Sequence, residues 1–311
     1  MEALLQPILI PIILEDNQIA YFELLSKLLF FVTDTPCGLD TAPTDVNIKN
    51  GRLLQMSLDR NGFAIVPHLY DHIDYYDESE VISRYYQECC RLVQEKTGAK
   101  KVYAFDHNIR SNVSQPKAIV GGNQVQTPVA FVHNDYTLTS APQRVKHLGE
   151  APKVNDTLRK ILGDTPLLSE ADLLDIEKNR FLFVNVWRNI TDDPVEDMPL
   201  ALCDAQSFSP EDLITFEIRY EDRVGENYFV KHSPKHDWVY FPKMVKDEAL
   251  LLKVWDSQGA ITGVEPSNMS TGQKQALIPA SFAFHTAFKD PTVSVDCPKR
   301  QSIECRLIAV Y

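Results

Sequence analysis

Phe181-Leu182-Phe183-Val184-Asn185-Val186-Trp187-Arg188 concentrates aromatic and β-branched side chains in a run too short for a buried helix. Such a run reads as a buried strand. Comparable runs follow at Thr215–Tyr220, Asn227–Lys231, Trp238–Phe241, Leu250–Trp255, Phe282–Phe288 and Ser302–Tyr311, separated by clusters of Pro, Gly, Asp and Ser. Many short strands without alternating helices predict a sandwich or barrel, not a parallel α/β sheet. The expected fold is mainly β, an antiparallel jelly-roll with flanking helices.

The helices fall upstream. From Ser79 to Lys96 the residues Val81, Ile82, Tyr85, Cys89, Leu92 and Val93 recur at helical spacing, with Ser79 as the expected cap and Gly98 after the end. A short strand, Lys101–Asp106, comes next, and Phe105-Asp106-His107 reads as its structured corner. Between Ala141 and Arg180 the chain is polar and helix-like, with Leu158, Leu162, Leu167 and Leu174 as expected buried positions. No linker divides the chain, so residues 1–311 read as one domain. Residues 1–125 would form the supporting part, and 126–311 the jelly-roll core with a helical insert at 141–180.

Composition excludes several functions. Only 12 of 311 residues are Gly, and neither common glycine-rich phosphate loop is present. Gly121-Gly122 beside Asn123 reads as a turn. A formal charge of −12 offers no footprint for a phosphate backbone, so no nucleic-acid partner is expected. Met1 to Leu14 is apolar but carries Pro7 and Pro11 and lacks the basic start of a signal peptide. No segment approaches the ~18 uninterrupted apolar residues of a membrane span. Cysteines 37, 89, 90, 203, 297 and 305 form no C-x-x-C pair and read as reduced thiols. The expectation is a cytoplasmic protein; oligomeric state is left open.

The chemistry gathers around Phe131-Val132-His133-Asn134-Asp135-Tyr136-Thr137. In a strand, residues i and i+2 share a face, so His133 and Asp135 would project together. They make two thirds of a 2-His-1-carboxylate iron triad. By itself His-x-Asp equally describes a surface histidine near a turn aspartate. His285, within the apolar run Ser281–Phe288, is the candidate third ligand, although a lone strand histidine can simply be a core residue. Further on, Arg300, Ser302, Glu304 and Arg306 share a strand face. A guanidinium beside a hydroxyl suits a carboxylate, while an edge strand with a solvated polar face is the plainer alternative. His232-Ser233-Pro234-Lys235-His236-Asp237 resembles a metal cluster, but Pro234 forbids a regular helix and a turn between strands is expected. Trp187, Trp238, Phe284 and Tyr136 could wall a pocket or simply fill the core.

The order His-x-Asp, His, Arg-x-Ser in a β-rich chain resembles the non-haem Fe(II)/2-oxoglutarate-dependent oxygenases of the double-stranded β-helix fold. The sequence is most similar to the AsaB-like hydroxylase/desaturase family, which includes cephalosporin 7α-methoxylase-like proteins. The resembling stretches include Phe105–Arg110, His133–Thr137, Asn185-Val186-Trp187-Arg188, Pro199–Asp204, Tyr240–Met244 with Asp247–Leu250, Lys253–Ser257, His285–Phe288 and Ser302–Arg306. Two positions depart from the family pattern: Asn189 stands where Pro usually follows the Trp-Arg pair, and Asn134 replaces a residue that is often small and apolar.

The resemblance implies that His133, Asp135 and His285 bind Fe(II), and that 2-oxoglutarate and O2 are consumed to give succinate and CO2 while a small-molecule substrate is oxidised. It assigns the distal carboxylate of 2-oxoglutarate first to Arg300 with Ser302. Arg306 is the rival on the same face and Arg188 a third cation. Strand alternation sets Val186 and Arg188 opposite Asn185 and Trp187, so only one of these pairs can face the pocket. An oxygenase of the same fold that needs no 2-oxoglutarate, or a jelly-roll binding protein without catalysis, would also be compatible with the residues.

Overall fold

The computed structural model describes residues 7–13, 19–23, 41–69, 72–122, 124–154, 156–219, 224–263 and 278–311. In chain order the strands are β1 (Pro7–Ile13), β2 (Ile19–Glu23), β3 (Thr41–Asn50), β4 (Phe63–Pro67), β5 (Lys101–Ser111), β6 (His133–Asn134), β7 (Phe181–Asn189), β8 (Leu200–Cys203), β9 (Leu213–Arg219), β10 (Val224–Val230), β11 (Trp238–Tyr240), β12 (Glu248–Asp256), β13 (His285–Ala287) and β14 (Gln301–Val310). They form a nine-stranded sheet, β1-β3-β11-β8-β13-β6-β10-β9-β2, and a five-stranded sheet, β4-β12-β7-β14-β5. The smaller sheet is antiparallel throughout. The larger is mixed, because β11 runs parallel to β3 and β2 parallel to β9. This is a double-stranded β-helix, mainly β as the strand runs predict.

Every residue of β7 is buried, because the small sheet is covered on both faces. One face looks toward the large sheet. Against β5 and β14 on the other lies the helical segment made of α1 (Glu78–Glu80), a π-helical turn (Val81–Tyr85) and α2 (Tyr86–Thr97). Its inward stripe is Val81, Tyr85, Tyr86, Cys89, Leu92 and Val93. Gly98 ends it in the left-handed conformation, φ 71. The cap is Asp77, not Ser79: its carboxylate accepts from the N–H groups of Ser79 and Glu80. The polar stretch supplies α3 (Ser140–Leu148), α4 (Arg159–Leu162) and α5 (Glu170–Lys178). There Leu158 is buried as expected, but Leu174 is 52% exposed while Leu168 and Ile176 take the core positions.

The run Phe282–Phe288 contributes only a short strand, for a structural reason. Ala283 N–H donates to Lys253 O in the small sheet at 3.0 Å, while Phe284 O accepts from Cys203 N–H in the large one at 2.9 Å. The segment crosses between sheets before His285 joins β13. Lys253 also holds its start. Its fully buried ammonium donates to Ala280 O at 3.1 Å and to Asp256 Oδ2 at 2.7 Å, and Arg180 shares Asp256 at 2.6 Å. Asp256→Ala is expected to cost about 3 kcal/mol, the lower end for a broken buried pair, because the buried ammonium keeps only the more exposed Asp59, 3.2 Å away, as its carboxylate partner. Urea unfolding measures this, and a loss below about 1 kcal/mol would contradict it.

Among the described residues Cys89, Cys90, Cys203, Cys297 and Cys305 are free thiols. Cys37, Tyr220 and Asn123 lie outside those residues.

Candidate active site

The site begins where β6 stops. Asn134 is fully buried, and its amide donates to Tyr136 O at 2.7 Å and Val254 O at 3.1 Å. These bonds hold the chain in a bend, so β6 is two residues long and Asp135 lies beyond it rather than in a continuous strand. His133 and Asp135 converge all the same, with Nε2 and Oδ1 3.7 Å apart. His133 Nδ1 donates to Phe131 O at 2.8 Å, which leaves the Nε2 lone pair free. His285 comes from β13, paired directly with His133, and the two imidazole centroids are 4.3 Å apart. One donor atom from each of His133, Asp135 and His285 lies within 4.8 Å of the others.

Burial disfavours imidazolium and brings His133 down to about 4; His285 is lowered for the same reason. Burial alone would raise Asp135, but Arg306, the two imidazoles and Asn185 outweigh it and hold the carboxyl below its ordinary range. Two neutral imidazoles and one carboxylate are a donor set that fits Fe(II) and leaves coordination positions for other ligands.

The small sheet supports this cluster from across the cavity. Asn185 Nδ2 donates to Asp135 Oδ2 at 2.8 Å, and Arg306 Nε is 3.8 Å from the same oxygen. Oδ2 is thereby occupied, while Oδ1 faces His133. Asn185→Ala should weaken Fe(II) or Co(II) binding about 10–100-fold, as loss of a partner that orients a ligand typically does. A metal titration showing unchanged affinity would remove Asn185 from this role.

The candidate cations separate clearly. Arg306 is surrounded by acids: Nη1 lies 2.8 Å from Asp106, Nη2 3.1 Å from Glu304, and Nε near Asp135. Arg300 has no acidic side chain on its guanidinium among the described residues. It donates to Ser302 Oγ at 2.9 Å and to Met198 O at 2.7 Å, and lies 5.1 Å over the Trp187 ring. Burial, reinforced by the charge of neighbouring Arg110, brings it down to about 9. Arg300, Arg306 and the His133–Asp135–His285 cluster line one small cavity.

Arg188 is not brought to this cavity. Strand alternation turns Asn185 and Trp187 toward it and Arg188 away. There Arg188 donates to His68 O at 3.1 Å and Lys246 O at 2.7 Å, contacts the His68 ring, and lies 5.8 Å from the Tyr85 ring centre. Asn189, the first departure from the family pattern, bonds Asp193 O and Met244 O and fixes the turn after β7. The His232–Asp237 segment is the expected turn between β10 and β11, with His236 3.3 Å from Asp212 and outside the cavity. Trp238 and Phe284 are core residues.

The expected corner at Phe105-Asp106-His107 is instead mid-strand. His107 Nδ1 meets Tyr86 OH at 2.8 Å on the helix side. β5 continues to Ser111, and Asp106 and Arg110 pair in register with Arg306 and Ser302. Arg110 and Glu304 thus line the same cavity as the triad, although the sequence pattern does not mark either as a binding residue. Polar residues at 106, 108 and 110, alternating with Ala104-Phe105, His107 and Ile109, were the available signal.

A double-stranded β-helix with two histidines and a carboxylate at adjoining strand ends defines a non-haem iron oxidoreductase class. The chain belongs to the YDMC family, described as an oxidoreductase/YMDC permease-like domain, whose model matches residues 32–310. Despite that description, no helix among the described residues is long and apolar enough to cross a membrane. An uncharacterised protein of the dcmA 3′ region of Methylophilus leisingeri is 38% identical over 160 residues, 49% of this chain and 74% of that protein. The Fe(II)/2-oxoglutarate-dependent dioxygenase nvfI of Aspergillus novofumigatus is 28% identical over 283 residues, 88% of this chain and 86% of its own. The hydroxylase/desaturase efuI of Hormonema carpetanum is 26% identical over 238 residues, 73% and 76% of the two chains. A solved iron and alpha-ketoglutarate-dependent endoperoxidase NvfI shares the fold with a TM-score of 0.72 at 22% identity, covering 98% of this chain and 97% of that one.

Proposed function

We propose that this protein is an Fe(II)- and 2-oxoglutarate-dependent oxygenase that hydroxylates, desaturates or cyclises a small molecule of specialised metabolism. The observation that carries the reading is one cavity with a candidate metal-binding triad from the large sheet and, at the start of a small-sheet strand, a buried arginine whose guanidinium has no acidic partner among the described residues. The oxygenase names of the relatives support it.

His133, Asp135 and His285 would hold the iron, and Arg300 with Ser302 the distal carboxylate of 2-oxoglutarate. When bound together with O2, this pair supplies an oxidant able to take hydrogen from a C–H bond, and the cosubstrate leaves as succinate and CO2. The protein's own work is positional. Phe131 O and Asn185 fix the ligand orientations, Arg306 keeps Asp135 ionised, and Ser302 and Met198 O aim the Arg300 guanidinium. Trp187 covers one face of that guanidinium and shields it from water.

Adding Fe(II) and then 2-oxoglutarate without oxygen should produce the metal-to-ligand charge-transfer absorption of the chelate. Iron binding without that band would indicate an oxygenase independent of 2-oxoglutarate. Absence of iron binding would leave a binding protein.

A further inference from the structure

Beside the triad cavity lies a second, more open one of about 550 Å³, and the two share Asp135, Arg306 and Arg110. A molecule in the open cavity would therefore lie against the metal-binding carboxylate. Its charges are unevenly compensated. Arg306 is held by Asp106 and Glu304. The other oxygen of Asp106 accepts from Thr157 at 2.8 Å, and Asp156 accepts from the Lys153 N–H at 2.7 Å. Arg144, from α3, has no hydrogen bond or ion pair among the described residues. Its guanidinium rests 4.9 Å over the Phe105 ring, an arrangement that orients the planar group while leaving its N–H edge available. Among the described residues the Arg110 guanidinium bonds only to Thr127 O, at 2.9 Å.

We propose that this open cavity is the substrate subsite for a carboxylate-bearing small molecule, with Arg144 as the residue that anchors the carboxylate; the substrate role rests on the oxygenase reading. A planar guanidinium edge matches a carboxylate in two parallel hydrogen bonds. A dianionic phosphate suits the site less well, because Asp106 and Asp156 line the same cavity. Asn108, Gln126 and Asn227 make the remaining wall polar, so the molecule should also carry hydroxyl or carbonyl groups. Anchoring at Arg144 would leave its other end near Asp135, where the C–H bond must lie to react.

Benzoate and its neutral analogue benzamide test the anchor directly. Binding is followed by ligand-detected NMR on the full chain, both metal-free and with Fe(II) and saturating 2-oxoglutarate under nitrogen. Benzoate is expected to bind at least roughly tenfold more tightly than benzamide, the ratio that one charge-assisted pair supplies at its weaker end. Arg144→Gln should erase the preference, Arg144→Lys should retain part of it, and Arg300→Gln should leave it intact. Equal binding of the two probes, no binding of either, or a preference that survives Arg144→Gln would overturn the proposal. So would its loss in Arg300→Gln, which would put benzoate in the cosubstrate's place. Failure of the oxygenase reading is recorded separately, as absence of the charge-transfer band in the unaltered protein, since the Arg144 preference is measured without metal as well.

Discussion

Asp135→Ala is expected to abolish iron binding and succinate formation while the protein stays folded. Asp135 is the only anion among the three donors, so its loss removes both a ligand and the charge that balances the metal. The affinity loss should exceed the roughly 10–100-fold that follows removal of a ligand's hydrogen-bond partner. Folding should survive, because Arg306 keeps Asp106 and Glu304 as partners and Asn185 is left beside a cavity. His133→Ala should behave alike. The measurements are an anaerobic Fe(II) titration, succinate release from 2-oxoglutarate, and near-ultraviolet circular dichroism as the folding control. A folded Asp135→Ala variant that binds one equivalent of iron and turns over would remove the triad from the mechanism.

Arg300→Ala should produce a different signature. Truncating one partner of a buried, hydrogen-bonded charge pair costs about 2–5 kcal/mol. The KM for 2-oxoglutarate should therefore rise at least about 30-fold, with iron affinity unchanged. Arg306→Ala separates the two strand-face arginines. Arg306 also lines the cavity, but its guanidinium is already paired with Asp135, Asp106 and Glu304, so its removal should lower metal affinity and kcat instead. If Arg306→Ala raises the 2-oxoglutarate KM while Arg300→Ala leaves it alone, the assignment of the distal carboxylate is reversed.

Much of the architecture could be read from the chain because burial imposes its period on residue type. The β7 run Phe181–Arg188, the β14 run Ser302–Tyr311 and the helical stripe Val81–Val93 each fill sites with mostly apolar neighbours, where apolar residues are favoured and the few polar ones need partners. β1 and β3 were not foreseen. Pro7 and Pro11 lie within β1 and Pro43 within β3, in a pair toward one end of the nine-stranded order, where proline is admitted. Phe282–Phe288 misled in the other direction. Its apolar character is real, but the run crosses between two sheets, and apolar content does not record which backbone receives its hydrogen bonds.

The site divides along the same line. His133, Asp135 and His285 could be picked out as a candidate triad from their residue types and order, since metal ligation needs such donors, and the structure brings them together. That His133 and His285 are direct cross-strand partners follows from the pairing of β6 with β13, between segments far apart in the chain. The roles of the arginines show the difference most sharply. Arg300 and Arg306 stand on the same strand face with equivalent chemistry, and local pattern cannot rank them. Folding brings Asp106 from β5, Asp135 from beyond β6 and Glu304 from β14 around Arg306, and brings no acidic side chain to the Arg300 guanidinium among the described residues. Residue type sets which charges exist; whether a charge is neutralised or left open for a ligand depends on what distant strands place within a few ångströms of it, because Coulomb attraction falls with distance and takes no account of chain order.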